Sequence, residues 1–251
     1  MKSKAKFKAI ICDIDGTLVP NNRNGIPSIK VITAISKAGK KIHFGVATAR
    51  PYFLIRALVK DLKLSGPSIV HGGAQIIDLT SGKVLKEQKI AAEDILKVFE
   101  ITQGMNLIFK VDEETESVDM SKNWKPHDVL GAYIPALTLK IAKLLEKKLS
   151  HISTISIHKV PSWDKGKVTV DISHASVGKQ YSILEVAEIL GIKTDEIIGV
   201  GDGYNDFPFL MACGLKVAMG NAVPELKEIA DYIAPTVEED GLVDVIEKFI
   251  L

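Results

Sequence analysis

The apolar run Ala9-Ile10-Ile11-Cys12 stops at Asp13, and a second run, Ile197-Ile198-Gly199-Val200, gives out just before Asp202. Runs this short and this apolar are predicted to be strands. Segments with helical spacing lie between these and similar runs, and that alternation marks an α/β sheet protein. Further strands are expected at 41–47, where Ile42, Phe44 and Val46 alternate, at 215–218 and at 232–234. Ser28 can cap a helix that runs to Gly39. Pro51 suits the first turn of the next helix, which carries Leu54, Ile55, Leu58 and Leu62 at helical spacing. A third amphipathic helix is predicted over 180–190, stopped by Gly191.

The middle of the chain follows a different rule. Strands at 84–87, 117–120, 152–157 and 167–172 alternate polar and apolar residues, which suits an antiparallel sheet with one wet face. Helices near 92–102 and 135–149 would cover the other face. The expected organisation is an α/β core made from residues 1–81 and 176–251, with an α+β module, 82–175, inserted into it.

Composition narrows the function classes. With 251 residues, 46% of them apolar, the chain can bury a sizeable core. Lys plus Arg number 32 against 31 Asp plus Glu, a balance that argues against a nucleic-acid footprint or a membrane-attracting surface. Four lysines fall in the first eight residues, but the apolar stretch after them is too short for a signal peptide and Asp13 interrupts it. No run of roughly eighteen apolar residues occurs, so no bilayer span is expected. Cys12 and Cys213 offer neither a disulfide framework nor paired metal spacing and read as small buried core residues. A soluble cytoplasmic protein is expected, a monomer by default.

Four stretches end predicted strands or open predicted helices: Asp13-Ile14-Asp15-Gly16-Thr17, Ala47-Thr48-Ala49-Arg50, Gly178-Lys179-Gln180 and Gly199-Val200-Gly201-Asp202-Gly203-Tyr204-Asn205-Asp206. In an open parallel sheet, ligands bind outside the carboxyl ends of the strands, where such loops meet. Asp-x-Asp-Gly-Thr should arise by accident in on the order of one in several hundred chains of this length. Taken in order, the four stretches resemble the signature motifs of the haloacid dehalogenase superfamily of phosphohydrolases. The insert between the second and third, and Met219-Gly220-Asn221-Ala222, resemble the Cof-type subgroup with an α+β cap. The resemblance implies a Rossmann-like parallel-sheet core and Mg²⁺-dependent hydrolysis of a small phosphorylated metabolite, in the sugar phosphate or phosphoglycolate class. The inserted module would close over the site and choose the leaving group.

Site roles follow from the same resemblance. Asp13, Asp15, Asp202 and Asp206 together would repel one another and push pKa values up unless a cation sat among them. Mg²⁺ prefers oxygen ligands, and ligation is implied for the Asp13 carboxylate, the Asp15 carbonyl and Asp202, with Asp206 bound directly or through water. Asp13, taken as ionised at neutral pH, would attack phosphorus to form an aspartyl-phosphate, and Asp15 would act as general acid and then base. Thr17 would orient Asp15, Thr48 and Lys179 would bind the phosphoryl group, and Arg50 and Asn221 would contact substrate. Each residue has a plainer competitor: Thr48 as a helix cap, Lys179 as a surface lysine, and Asp202 and Asp206 as turn formers. Lys179 at a helix start, however, is unfavourable beside the helix dipole and points to a charge partner.

Two rival activities share these residues: a sugar phosphomutase of the same superfamily, and a phospho-accepting signalling module. Trp124 and Trp163 read as core residues of the insert or as aromatic walls for a leaving group, and the six histidines as structural or exposed. The chain departs from the subgroup in having Gly72-Gly73-Ala74 where an Asn-Gly-Ala is usual.

Overall fold

The computed structural model describes residues 6–21, 25–111, 115–117, 129–162 and 164–251. Trp124 and Trp163, and residues 118–120 of one predicted strand, lie outside them. The chain divides into two units, residues 1–86 with 178–251, and residues 87–177.

The first unit is built on five parallel strands. In chain order they are β1 (Ala9–Cys12) and β2 (His43–Val46) and, after the second unit, β11 (Ile197–Gly201), β12 (Leu215–Ala218) and β13 (Tyr232–Ile233). Their order across the sheet is β13-β12-β11-β1-β2. Side chains alternate between the two faces of a strand, and here both faces are apolar. Ile10 and Cys12 of β1 belong to one buried cluster, with helices α1 (Ile29–Ala38), α2 (Tyr52–Leu62) and α8 (Gly241–Phe249). Ala9 and Ile11 belong to the other, with α5 (Lys179–Leu190), α6 (Phe207–Ala212) and α7 (Pro224–Ile229). Each fully buried Ile, Leu or Val in these layers contributes about 1.5–3 kcal/mol.

The predicted helix signals lie close to where they were read. Ser28 caps α1 by accepting from the Val31 N–H at 3.2 Å. Gly191, at φ 64°, ends α5 in the left-handed conformation. Pro51 stands one residue earlier than expected, as the residue before α2, with extended backbone.

Beside β2 the first unit adds a three-stranded sheet of β3 (Pro67–Val70), β4 (Gln75–Asp78) and β5 (Lys83–Glu87). Ala47 bridges Ile69 in parallel fashion, so β3 continues the line of the main sheet. The strand at 84–87, expected in the insert, therefore pairs within the first unit. Its alternation of polar and apolar residues reports a half-exposed edge, which either location would produce.

The second unit is antiparallel. Strands β6 (Ile108–Lys110), β7 (Thr115–Ser117), β8 (Gly131–Leu137), β9 (Ile155–Pro161) and β10 (Val168–His174) take the order β7-β6-β8-β10-β9. Helices α3 (Ala92–Ile101) and α4 (Leu139–Leu149) pack on one face against Phe109, Ala132, Ile134, Val170 and Ile172. The other face is wet, and there Lys110 pairs with Asp171 at 2.6 Å. The predicted helix from 135 begins instead at Leu139, because Thr138 caps it and Pro135 belongs to β8. A proline is tolerated there because the β8–β10 register shifts between Val168 and Val170, opposite that stretch. Among the described residues no helix is long and apolar enough to cross a membrane.

Candidate active site

The parallel register sets three loops side by side. Asp13 N–H bonds the Val200 carbonyl and Ala47 N–H bonds the Cys12 carbonyl, both at 2.9 Å, so the chain leaves β1, β2 and β11 at one level. Strand order also reverses here: β1 leads outward to β2, whereas β11 leads the other way to β12 and β13. Open α/β sheets bind ligands at such a reversal.

The loop after β1 is tightly wound. The Ile14 carbonyl accepts from Leu18 and Val19 at 2.9 Å, and Gly16 N–H donates to the Val19 carbonyl at 2.8 Å. Gly16 sits at φ +85°, and a Cβ there would fall 2.3 Å from Asp202 Oδ2. Both the backbone conformation and the close approach demand glycine. The turn thereby delivers Asp13 and Asp15 next to Asp202, 189 positions after the first of them.

Lys179 is the hub of the buried side of the site. It is the first residue of α5, and its ammonium donates to Asp13 Oδ1 and to Asp206 Oδ1, each at 2.6 Å. Its side chain is only 3% exposed. Burial alone would lower the lysine's pKa, but Asp13 and Asp206 overcome it and the net shift is upward. Gly73 fixes where the helix begins: at φ +108°, a Cβ on it would stand 2.7 Å from the Gly178 carbonyl carbon, and its own carbonyl accepts from the Ser182 hydroxyl at 2.9 Å. Gly73 of the Gly-Gly sequence thus serves the start of α5.

Asp206 is more fully engaged than its motif position suggests. Besides Lys179, its Oδ2 accepts from the Asp202 and Gly203 N–H groups at 3.0 and 2.9 Å, closing the turn after β11. Asp202 in turn accepts from the Thr17 hydroxyl at 2.8 Å. Thr17 had been expected to orient Asp15; its partner is the carboxylate brought across by the sheet register.

Three carboxylates, Asp13, Asp202 and Asp206, each place an oxygen within 4.8 Å of the others. One ammonium lies among them, so with all three ionised the cluster lacks two positive charges. The deficit is visible in the acidities. Burial, with Asp206 and Asp202 adding repulsion against the pull of Lys179, pushes Asp13 up to about 7. Burial, again with Asp206 adding repulsion, raises Asp202 to about 6 despite its bond from Thr17. Without a further cation, burial and repulsion thus oppose the ionisation of Asp13 that was assumed from sequence. A hard, all-oxygen donor set short of two charges fits a divalent ion of the Mg²⁺ type.

Asp15 faces another partner. Its carboxylate is gripped at both oxygens by Arg50, Nε donating to Oδ2 at 2.8 Å and Nη2 to Oδ1. Arg50 had been counted as a substrate contact. Thr48 is buried, and its hydroxyl oxygen accepts from the Arg50 N–H at 3.1 Å. Asn221 spans two backbone groups, donating to the Gly16 carbonyl at 2.8 Å and accepting from Val237 N–H at 2.9 Å. The predicted residues thus form a buried group (Asp13, Lys179, Asp206) with the half-buried Asp202 beside it, a half-exposed pair (Asp15, Arg50) and two backbone ties (Thr48, Asn221).

The family of haloacid dehalogenase-like hydrolases matches this chain over residues 10–128 and 105–246. Among curated proteins, the 5-amino-6-(5-phospho-D-ribitylamino)uracil phosphatase YcsE of Bacillus subtilis is 27% identical over 98% of this chain and 96% of its own. Phosphoglycolate phosphatase 1 of Saccharolobus solfataricus is 22% identical over 97% and 96%. Among solved structures, the phosphatase BT1666 of Bacteroides thetaiotaomicron aligns at a TM-score of 0.86 and 22% identity, covering 99% of this chain and 97% of its own. Likeness at that identity speaks to the fold.

Proposed function

The chain belongs to the haloacid dehalogenase-like hydrolases, and from that premise we propose that it is a Mg²⁺-dependent phosphomonoesterase working through an aspartyl-phosphate on Asp13. The observation that carries this reading is the meeting of Asp13, Asp202 and Asp206 around Lys179 at the reversal of strand order. A self-repelling cluster of that kind costs stability, and a cation with a phosphoryl group held beside it is the use that the surrounding motifs support.

The roles divide by surroundings. Asp13 attacks phosphorus, the new Asp13 oxygen–phosphorus bond forming as the ester P–O bond breaks. Asp15, released by Arg50 at one oxygen and protonated there from solvent, passes that proton to the departing alkoxide, which leaves as the alcohol. Asp15 then takes a proton from a water molecule as that water attacks the aspartyl-phosphate, and inorganic phosphate departs with the Asp13 carboxylate restored. Lys179 offsets charge on the nucleophile and the phosphoryl oxygens, and Thr48 keeps its own hydrogen to donate while accepting from Arg50. Asp13, Asp202 and Asp206, with the Asp15 carbonyl, are the groups that would hold Mg²⁺. When bound, the ion neutralises the carboxylates and the phosphoryl group, which is most of what phosphoryl transfer asks of a protein.

Substrates are expected among small soluble phosphomonoesters, with sugar phosphates and phosphoglycolate first to try. Choice among leaving groups falls to the inserted α+β unit. The test is release of inorganic phosphate from a panel of such esters, with Mg²⁺ and with chelator. Mg²⁺-dependent release from at least one member is expected. Isomerisation of a sugar phosphate without release, or a phosphoprotein that persists without turnover, would replace this reading with a mutase or a signalling module.

A further inference from the structure

The backbone of residue 50 is pinned on both sides, its N–H on the Thr48 hydroxyl at 3.1 Å and its carbonyl on the His71 N–H at 3.0 Å. The backbone of Asp15 is pinned as well, by the Ile14–Val19 turn and the Asp15–Val19 bridge. What remains free in Asp15 is rotation of its side chain. The Arg50 guanidinium removes that freedom by bonding both carboxylate oxygens with Nε and Nη2. A planar fork on a planar carboxylate fixes its plane as well as its position, which a lysine cannot do. Among the described residues no other side chain hydrogen-bonds this carboxylate. The pair is half-buried, 26% and 33% exposed, open enough for one oxygen to leave Arg50 and take up a proton from solvent while the other stays on the guanidinium and keeps the carboxyl in place.

We infer that Arg50 is a positioning residue for Asp15, fixing the carboxyl from which the departing oxygen takes its proton. The inference rests on the phosphomonoesterase reading above. Arg50 then acts only on the part of the barrier that depends on proton delivery. Its worth scales with how badly the leaving group needs a proton: high for an alkyl alcohol, low for 4-nitrophenolate, which departs unaided.

The test compares kcat/KM for ethyl phosphate and 4-nitrophenyl phosphate in the wild type, Arg50→Gln, Arg50→Lys and Asp15→Asn. Misplacing a reacting group by about 1 Å can cost about 10²-fold. Arg50→Gln is expected to lose roughly 10²-fold on ethyl phosphate, with a loss about tenfold smaller on the nitrophenyl ester. Arg50→Lys should not rescue it, inhibition by inorganic phosphate should hold its strength, and Arg50→Gln added to Asp15→Asn should cost almost nothing more. Equal losses on both esters with weakened phosphate inhibition would make Arg50 a substrate contact and overturn the inference, as would full rescue by lysine. A wild type that hydrolyses neither ester nor any member of the panel would overturn the phosphomonoesterase reading and this inference together. Wild-type activity with an unaltered leaving-group dependence in Arg50→Gln would sink this one alone.

Discussion

Asp13 and Asp15 stand two residues apart in one loop and live in different media. Asp13 is 6% exposed, shares a buried ammonium with Asp206, and faces a cluster short of positive charge. Asp15 is a third exposed and has a guanidinium to itself. The sheet explains the contrast: β11 and α5 bring Asp202, Asp206 and Lys179 against the first acid, whereas the loop after β2 brings Arg50 to the second. Burial strengthens every charge interaction at the proposed nucleophile, and exposure lets the proposed proton carrier reach solvent. One turn of chain thereby holds two carboxylates in two environments.

The sharpest way to break that contrast is to neutralise each acid in turn. Asp13→Asn is expected to reduce steady-state turnover to background, because no covalent intermediate can form. Asp15→Asn should cost roughly 10²–10⁴ in kcat, the span typical of lost general acid–base help. Equal losses would mean that the two acids do not divide the work. Wild-type turnover in Asp13→Asn would end the covalent proposal.

The two cations should differ as much as their acids. Lys179→Ala strands Asp13 and Asp206 in the interior, and losing one partner of a buried charge pair costs about 3–5 kcal/mol. Arg50→Ala opens a partly solvated pair, and about 1 kcal/mol or less is expected. Denaturant titration in chelator measures both. Similar values would show that the buried cluster is no more dependent on its cation than the exposed pair.

Acidity gives a subtler comparison. Asp13 and Asp202, at about 7 and about 6, lie above the roughly 3.9 of an unfolded aspartate. Between those values the native state holds more protons than the unfolded chain, so these two groups make stability fall as pH rises from about 4 to about 7. The effect belongs to the protein without divalent ions. Mg²⁺ competes with protons for the same oxygens, so its stabilisation should grow with pH. Thermal melts at pH 5.5 and 8, with chelator and with Mg²⁺, are expected to show the larger Mg²⁺ gain at pH 8. In Asp202→Asn that difference should shrink. A gain independent of pH would mean that the ion does not replace protons on this cluster.

How much of this was legible follows the same division. The ends of β1 and β11 could be read because a fully buried strand is an unbroken apolar run and its end is marked by the first charge. Lys179 could be read because a lysine opening a helix needs a partner. Pairings set by sheet register could not be read. Arg50 meets Asp15 across 35 positions and Thr17 meets Asp202 across 185, and neither spacing leaves a trace in local pattern. β8 was hidden by Pro135, whose place at a register shift is a tertiary fact.

Asn221 tests the smallest difference, that between touching substrate and holding the loop that does. Sequence resemblance placed it at the substrate; its amide is spent on the Gly16 carbonyl and the Val237 N–H. Asn221 is itself exposed, so water can reach the Gly16 carbonyl and the Val237 N–H that Asn221→Ala would release, and about 1 kcal/mol of stability should be lost. Its kinetic signature separates the roles. If Asn221 only steadies the Gly16 turn, kcat falls modestly and equally for every ester, because Asp13 and Asp15 are displaced together, and inhibition by inorganic phosphate holds. If it binds the phosphoryl group, phosphate inhibition weakens by about tenfold, the loss of one good hydrogen bond to a charged group. The geometry predicts the first outcome. By tying the Gly16 carbonyl to the Val237 N–H, the amide fastens the turn that carries both acids to a distant part of the chain.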